Sequence, residues 1–549
     1  MTTARPHRQL LVALVAAATF AAGCGGGGGG GGGGDDAGPP QRGGRIVYGL
    51  EAETPGGYCL PEAQLAISGI QVARSMFDTL TVPGADGKMV PYLAKSVTHS
   101  EDFTKWTVKL RPGITFHDGS KLDATVVKNN LDAVRGQYKG RNALLGIFVF
   151  SDVASIDATD AMTVVITTKR PWVAFDSYLF GGGRFGMMAQ AQLDDPDTCD
   201  RKPIGTGPFK FKSWTVGDKL VVERNPNYWQ KAPDGKPYPY LDEIEFRPIP
   251  EAQQRVNAIQ SGTADMAHTS STNGVKQLND LKASGSIGLY VSTKFAEVGY
   301  VMLNSAKPPF DDVRVRQAMA YGLNREEANE VLSEGRSVLA NGPFAPGVMG
   351  YLKDTGYPSY DPKKAKALIA DYVEDTGKKV QFTLNLPQDP ELVQSAQLLQ
   401  QTAKKVGVTI TLRNMDQGQL INSAISGDFQ ATFFRNHPGG DPDGQYVWWK
   451  SDSPVNFGRI KDPIIDKLLD EGRSSTDQAR RTEIYKQINR EFAKKVWNVW
   501  AGFTTWAIGT STAVHGLPGP KLPNGGAPFP GLALGHPVQG LWVEQDGGG

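Results

Sequence analysis

Ten consecutive glycines, Gly25–Gly34, divide this chain of 549 residues. Glycine has no side chain to bury and loses the most backbone freedom on ordering, so such a run builds no core. It separates a short leader from everything that can fold. The leader has three parts: Arg5 and Arg8, then Leu10 to Ala22 with Thr19 as its one polar residue, then Gly23-Cys24. A basic start, an apolar middle and small residues before a cut form the plan of a secretory signal. The apolar stretch covers about 20 Å as a helix against ~30 Å of hydrocarbon, so a permanent spanning helix is not expected.

Cys24 directly after Ala21-Ala22-Gly23 resembles the bacterial lipobox, in which the cysteine is lipidated and becomes the first mature residue. The expectation is a lipoprotein signal peptide at 1–23 and a Gly-rich tether at 24–44. As a coil of ~20 residues the tether reaches about 25 Å. The body would then stand lipid-anchored in the cell envelope, on the outer face of the cytoplasmic membrane. ATP is absent there and disulfides are permitted. Cys59 and Cys199 are the other two cysteines. They are either a pair or two free thiols.

Charge excludes some partners. Lys and Arg number 58 and Asp and Glu 57, so nothing attracts nucleic acid or anionic lipid in general. Short β-rich runs alternate with amphipathic segments. Lys105–Leu110 and Met162–Thr167 alternate at period two, as do Lys219–Glu223 and Ile244–Ile249, while Arg45–Leu50 reads as the first strand. Asp311-Asp312 precede a helix with apolar residues three to four apart, and Asp361-Pro362 opens another with Asp as cap. Residues 390–406 and 478–495 are also helical. This is an α/β protein of more than one lobe. No Gly-x-Ser-x-Gly, His-Glu-x-x-His or Cys-x-x-Cys occurs, and the histidines are scattered, so neither an enzyme nor a metal or cofactor site is expected.

Five motifs are more specific: Leu110-Arg-Pro-Gly-Ile-Thr-Phe-His-Asp-Gly-Ser-Lys-Leu-Asp-Ala124, Gly205-Thr-Gly-Pro-Phe-Lys-Phe211 with Asn225-Pro-Asn-Tyr-Trp229, Val313–Arg325, Tyr360–Leu368, and Asp441-Pro-Asp443. In this order they resemble the peptide/nickel-binding family of ABC importer solute-binding proteins, over about 45–545. The resemblance implies a two-lobed periplasmic-binding-protein-like clamp with a hinge and an extra subdomain inserted in the first lobe. Lobe I would comprise 45–65, 200–290 and 508–545, the subdomain 66–199 and lobe II 291–507. Cys59 and Cys199 then both lie at edges of lobe I, which favours a disulfide. The implied partners are a peptide or other small molecule, the permease subunits and the membrane through the anchor, with the protein a monomer.

For the ligand, lobe I would offer Glu51 and Tyr58 after the first strand. Lobe II would offer Arg435, Asn436, His437 and Asp441 after the strand-like run 430–434, with Trp448 and Trp449 as apolar walls. Family members often place an Asp shortly before the Asp-Pro motif for a peptide's α-amine. Here Asn436-His437-Pro438-Gly439-Gly440 holds no carboxylate, leaving Asp441 or Glu51 as substitutes, or a ligand without a free amine. Asp441-Pro-Asp443 is equally a structural turn, and His117-Asp118-Gly119 reads as a turn.

Overall fold

The computed structural model describes residues 38–545, except 55 and 438. The expected signal peptide, Cys24 and most of the tether lie outside the described residues. Among the described residues no helix is long and apolar enough to cross a membrane. Residues 40–44, drawn from sequence as the end of the tether, are already tied to the body. Arg42 pairs with Asp234 at 2.8 Å, and the Gly43 N–H donates to the Tyr240 carbonyl.

Two large sheets organise the body. In the first, seven strands run in the order 288–292, 506–510, 266–269, 45–50, 243–248, 219–224, 209–215. Arg45–Leu50 lies inside it, parallel to both neighbours and buried from its second residue onward. That explains a near-continuous apolar run in place of alternation. Ile46 and Tyr48 enter the main core on one face, while Val47 meets Ala258 and Ala264 on the other. The second sheet orders 338–339, 498–503, 298–303, 431–436, 380–387, 408–415. The parallel pair Val380–Pro387 and Val408–Met415 is joined by the helix Pro390–Lys405, capped by Asp389. Asp312 and Asp361 cap Val313–Gly322 and Pro362–Thr376, as their spacing predicts.

A four-stranded antiparallel sheet, 94–99, 105–110, 163–168, 153–160, forms a separate unit with its own core around Trp106, Val108, Leu131, Ile166 and Trp172. Cys59 and Cys199 are disulfide-bonded at the two ends of this excursion. The helix Ile67–Met76, drawn into the subdomain from sequence, instead packs in the first-sheet core beside Ile46 and Tyr48. Its residues are apolar or small on nearly every side, so no stripe marks which neighbour it faces. The end of this helix also accounts for a motif: a Cβ on Gly205 would sit 2.1 Å from the Met76 carbonyl oxygen. His117 then locks the loop, with its Nε2 3.0 Å from the Gly207 carbonyl and its Nδ1 accepting from the Gly205 N–H.

The chain crosses between the large sheets twice, between Ser292 and Val298 and between Phe503 and Trp506. The Thr504 N–H donates to the Glu297 carbonyl, tying the crossings side by side. The strand of the second return begins at Trp506, two residues before the boundary drawn at 508.

Candidate functional site

The C-terminal end of Arg45–Leu50 points at the junction of the two sheets, and Glu51 follows it. The Glu51 N–H donates to His268 Nε2 at 3.1 Å, and the Ser68 hydroxyl lies 3.3 Å from the same nitrogen. His268 sits on Met266–Thr269, 4% exposed, and burial lowers its pKa to about 4. The ring is therefore neutral at pH 7, and Nε2 is free to accept.

From the second sheet, Arg435 on Ala431–Asn436 reaches across. Its Nη2 lies 3.2 Å from Glu51 Oε1, and its Nη1 donates to Ser270 Oγ at 2.9 Å. Its Nη1 is also 3.8 Å from Glu297 Oε2, and the guanidinium lies over Trp506, 5.7 Å from the ring centroid. Glu297 and Trp506 sit at the two crossings, joined by Trp506 Nε1 donating to Glu297 Oε2 at 3.0 Å. One guanidinium thus faces two carboxylates. Burial opposes ionisation of Glu51, but Arg435, His268 and Arg255 outweigh it and its pKa is lowered. At Glu297 burial wins over Arg435 and the pKa is raised. A second link joins the lobes where Ser271 Oγ donates to Glu391 Oε1 at 2.5 Å.

The other sequence-selected residues do not share this centre. Both ring nitrogens of His437 are engaged, by the Phe295 carbonyl and the Gly439 N–H, and burial lowers its pKa to about 4. Asn436 donates to Gln445, whose amide in turn holds the His437 carbonyl. These three fix a loop. Asp441 forms a two-point pair with Arg481, at 2.7 and 2.9 Å, and accepts from the Asp443 N–H. Its carboxylate is thus engaged within lobe II, away from the Glu51–Arg435 contact. Tyr58 is buried against Trp214, and Trp449 against Phe344 and Phe492. Both are core residues, Tyr58 from a bend of the first lobe and Trp449 from the short helix Tyr446–Trp449. Trp448 is half-buried, edge-on to Phe457, which also meets Phe434. Phe434 packs with Tyr300, its partner across the strand pair, on the strand face opposite Arg435.

Sequence reasoning missed His268, Ser270, Glu297, Glu391 and Trp506. The only available signal was position, since Glu297 and Trp506 flank the lobe boundaries at 290/291 and 507/508. Among the described residues no three His, Cys, Asp or Glu side chains gather to hold a metal ion. The centre offers a guanidinium beside two carboxylates and the Trp506 ring, groups able to pair with an acid and an amine.

Residues 88–457 match the model of the bacterial extracellular solute-binding proteins, family 5 (middle region). The glutathione-binding protein GsiB of Pectobacterium atrosepticum is 29% identical over 440 residues, 78% of this chain and 82% of its own length. The oligopeptide-binding protein AppA of Bacillus subtilis, solved with a nonapeptide, superposes with a TM-score of 0.80 at 22% identity, covering 92% of this chain and all of that one. AgaA of A. tumefaciens R10, solved with agropinic acid, gives 0.80 at 26% identity over 92% of this chain and 99% of its own.

Proposed function

The chain belongs to the bacterial extracellular solute-binding proteins of family 5, and from that membership we propose that it is a lipid-anchored receptor that captures peptides and delivers them to an ABC permease. Its place is the α/β, two-lobed binding-protein fold, and its relatives are substrate-binding proteins rather than enzymes. The solute-binding role outside the cytoplasm comes with the family. The anchor at Cys24, monomeric state, hand-over to a permease and peptide ligand are this proposal's own.

One observation carries the ligand reading: Glu51 and Arg435 meet across the two lobes beside the crossings. A ligand whose amine takes Glu51 or Glu297, and whose carboxylate takes Arg435, would bridge both lobes and favour closure. Glu51 replaces the aspartate that the loop 436–440 lacks. The lobe assignment that goes with this reading is 45–65, 200–290 and 508–545 against 291–507, with 66–199 inserted, amended so that Ile67–Met76 and the strand from Trp506 belong to lobe I.

A second reading keeps the scaffold for a non-peptide solute. It is favoured by the engagement of Asn436, His437 and Asp441 in the loop itself, and by a neighbour solved with agropinic acid. A thermal-shift screen of the full chain separates the two. The set would be di- to octapeptides with free and acetylated ends, glutathione and opine-type sugar–amino acid conjugates. A ligand at 100 times its Kd adds about 2.7 kcal/mol. Shifts with free-amine peptides support the first reading. Shifts confined to the acetylated peptides or the opine-type conjugates replace it with the second.

A further inference from the structure

A second contact between units lies away from the charged cleft. Arg473, in the last turn of the helix Pro463–Ser474, is fully buried. On its own lobe it donates to Asp443 from Nε at 3.1 Å and stacks on Tyr446, 3.5 Å from the ring centroid. Toward the inserted subdomain it donates from Nη1 to Asp152 at 2.9 Å and from Nη2 to the Tyr178 hydroxyl at 3.1 Å, and lies over Trp172 at 4.1 Å. Its carbonyl accepts from the Val173 N–H, while Trp172 Nε1 donates to Asp443 at 2.7 Å. Beside it, Arg170 of the subdomain pairs with Asp152 at 2.6 Å and with Asp470 of lobe II at 2.7 Å.

The charges are arranged so that the two halves can part. The subdomain brings Asp152 and Arg170; lobe II brings Arg473 and Lys450 against Asp443 and Asp470. Each half is neutral alone, and separation leaves no charge without a partner of its own. A permanent cement has no need of this, because its charges are paired only once. The contact also spans the gap opposite the two crossings in chain connectivity: the subdomain is tied by its disulfide ends to the first sheet, and Arg473 belongs to the second.

We propose that Arg473 fastens the closed clamp through Asp152, acting as a positioning residue that sets the closed-to-open ratio and so the grip on ligand. The proposal rests on the reading of the chain as a closing receptor, but its test needs no ligand. Small-angle X-ray scattering on the full-length protein is compared with Asp152→Asn, Asp152→Glu and Arg170→Gln, with thermal melts alongside. Asp152 is on the subdomain side, so Asp152→Asn leaves the Arg473–Asp443 pair intact. The parent should fit the present coordinates, in which the lobes touch through Glu51–Arg435 and Ser271–Glu391. Asp152→Asn and Arg170→Gln should move the ratio toward open by about tenfold, the loss of one charge-assisted hydrogen bond, and raise the radius of gyration. Asp152→Glu should recover the parent curve in part. An unchanged radius in both variants overturns the proposal, and so does a lower melting temperature with the same radius, which is the signature of a structural contact alone. If instead no solute shifts the melting temperature while the scattering difference stands, the receptor reading fails and the latch survives.

Discussion

Glu51 is buried deeply enough that desolvation opposes its charge, yet the Arg435 and Arg255 guanidinium groups keep it ionised. Removing its charge leaves Arg435, among the described residues, with Glu297 at 3.8 Å as its remaining ion pair. Elsewhere burial is not answered. Asp78 accepts from Trp229, Thr206 and Tyr228, but desolvation outweighs them and pushes its pKa to about 7. The folded protein therefore holds a proton there that the unfolded chain releases near pH 4, and stability falls as pH rises from about 4 to 7. Buried His117, His268 and His437 act oppositely. With pKa values of about 4, they withhold protons that the unfolded chain takes up below about 6.5, so stability is lost as pH falls through that window. Asp78→Asn should match the parent's stability near pH 4, exceed it increasingly up to about pH 7 by about 1.4 kcal/mol per pH unit, and hold a constant lead above that. Melts across that range check it; parallel curves would contradict it. At this scale the sequence told of Glu51 and Arg435, which simply follow strand ends. It was silent on His268, Glu297 and Trp506, which come together from more than 200 residues apart.

Among the elements, period-two and cap signals sufficed wherever a segment has one dry face, as in Lys105–Leu110 or Pro362–Thr376. They failed for Ile67–Met76, which is buried on almost every side and so carries no direction. The disulfide is the clearest element-scale device. It closes an excursion of 140 residues from the first lobe, and cross-linking a loop that long removes much denatured-state entropy. The double variant Cys59→Ser, Cys199→Ser should lose about 2–5 kcal/mol in urea denaturation while keeping ligand response at 20 °C, since neither sulfur faces the charged centre. A loss under ~1 kcal/mol would show that the subdomain is held by packing alone.

For the whole molecule, two lobes joined by adjacent crossings make a hinge, and the charged centre sits at its base. The hinge was legible only through resemblance, because period and composition do not say which strands share a sheet. The partition into three stretches of lobe I is a matter of topology. What no sequence pattern announced is the interface around Arg473, where residues 152–178 meet 443–473. If it fastens the clamp, ligand affinity is set at two places, one that touches the ligand and one that does not.

The central claim is that Glu51 receives the ligand's amine in the cleft between the lobes. The most direct test is isothermal titration of the full chain with the best free-amine peptide from the screen and its N-acetyl form, each against the parent and Glu51→Gln. The account expects the free amine to bind the parent roughly 10- to 100-fold more tightly than the acetylated form, as loss of a charge-assisted contact implies, and Glu51→Gln to abolish that preference. Equal affinity for both peptides, or a preference that survives Glu51→Gln, would contradict it.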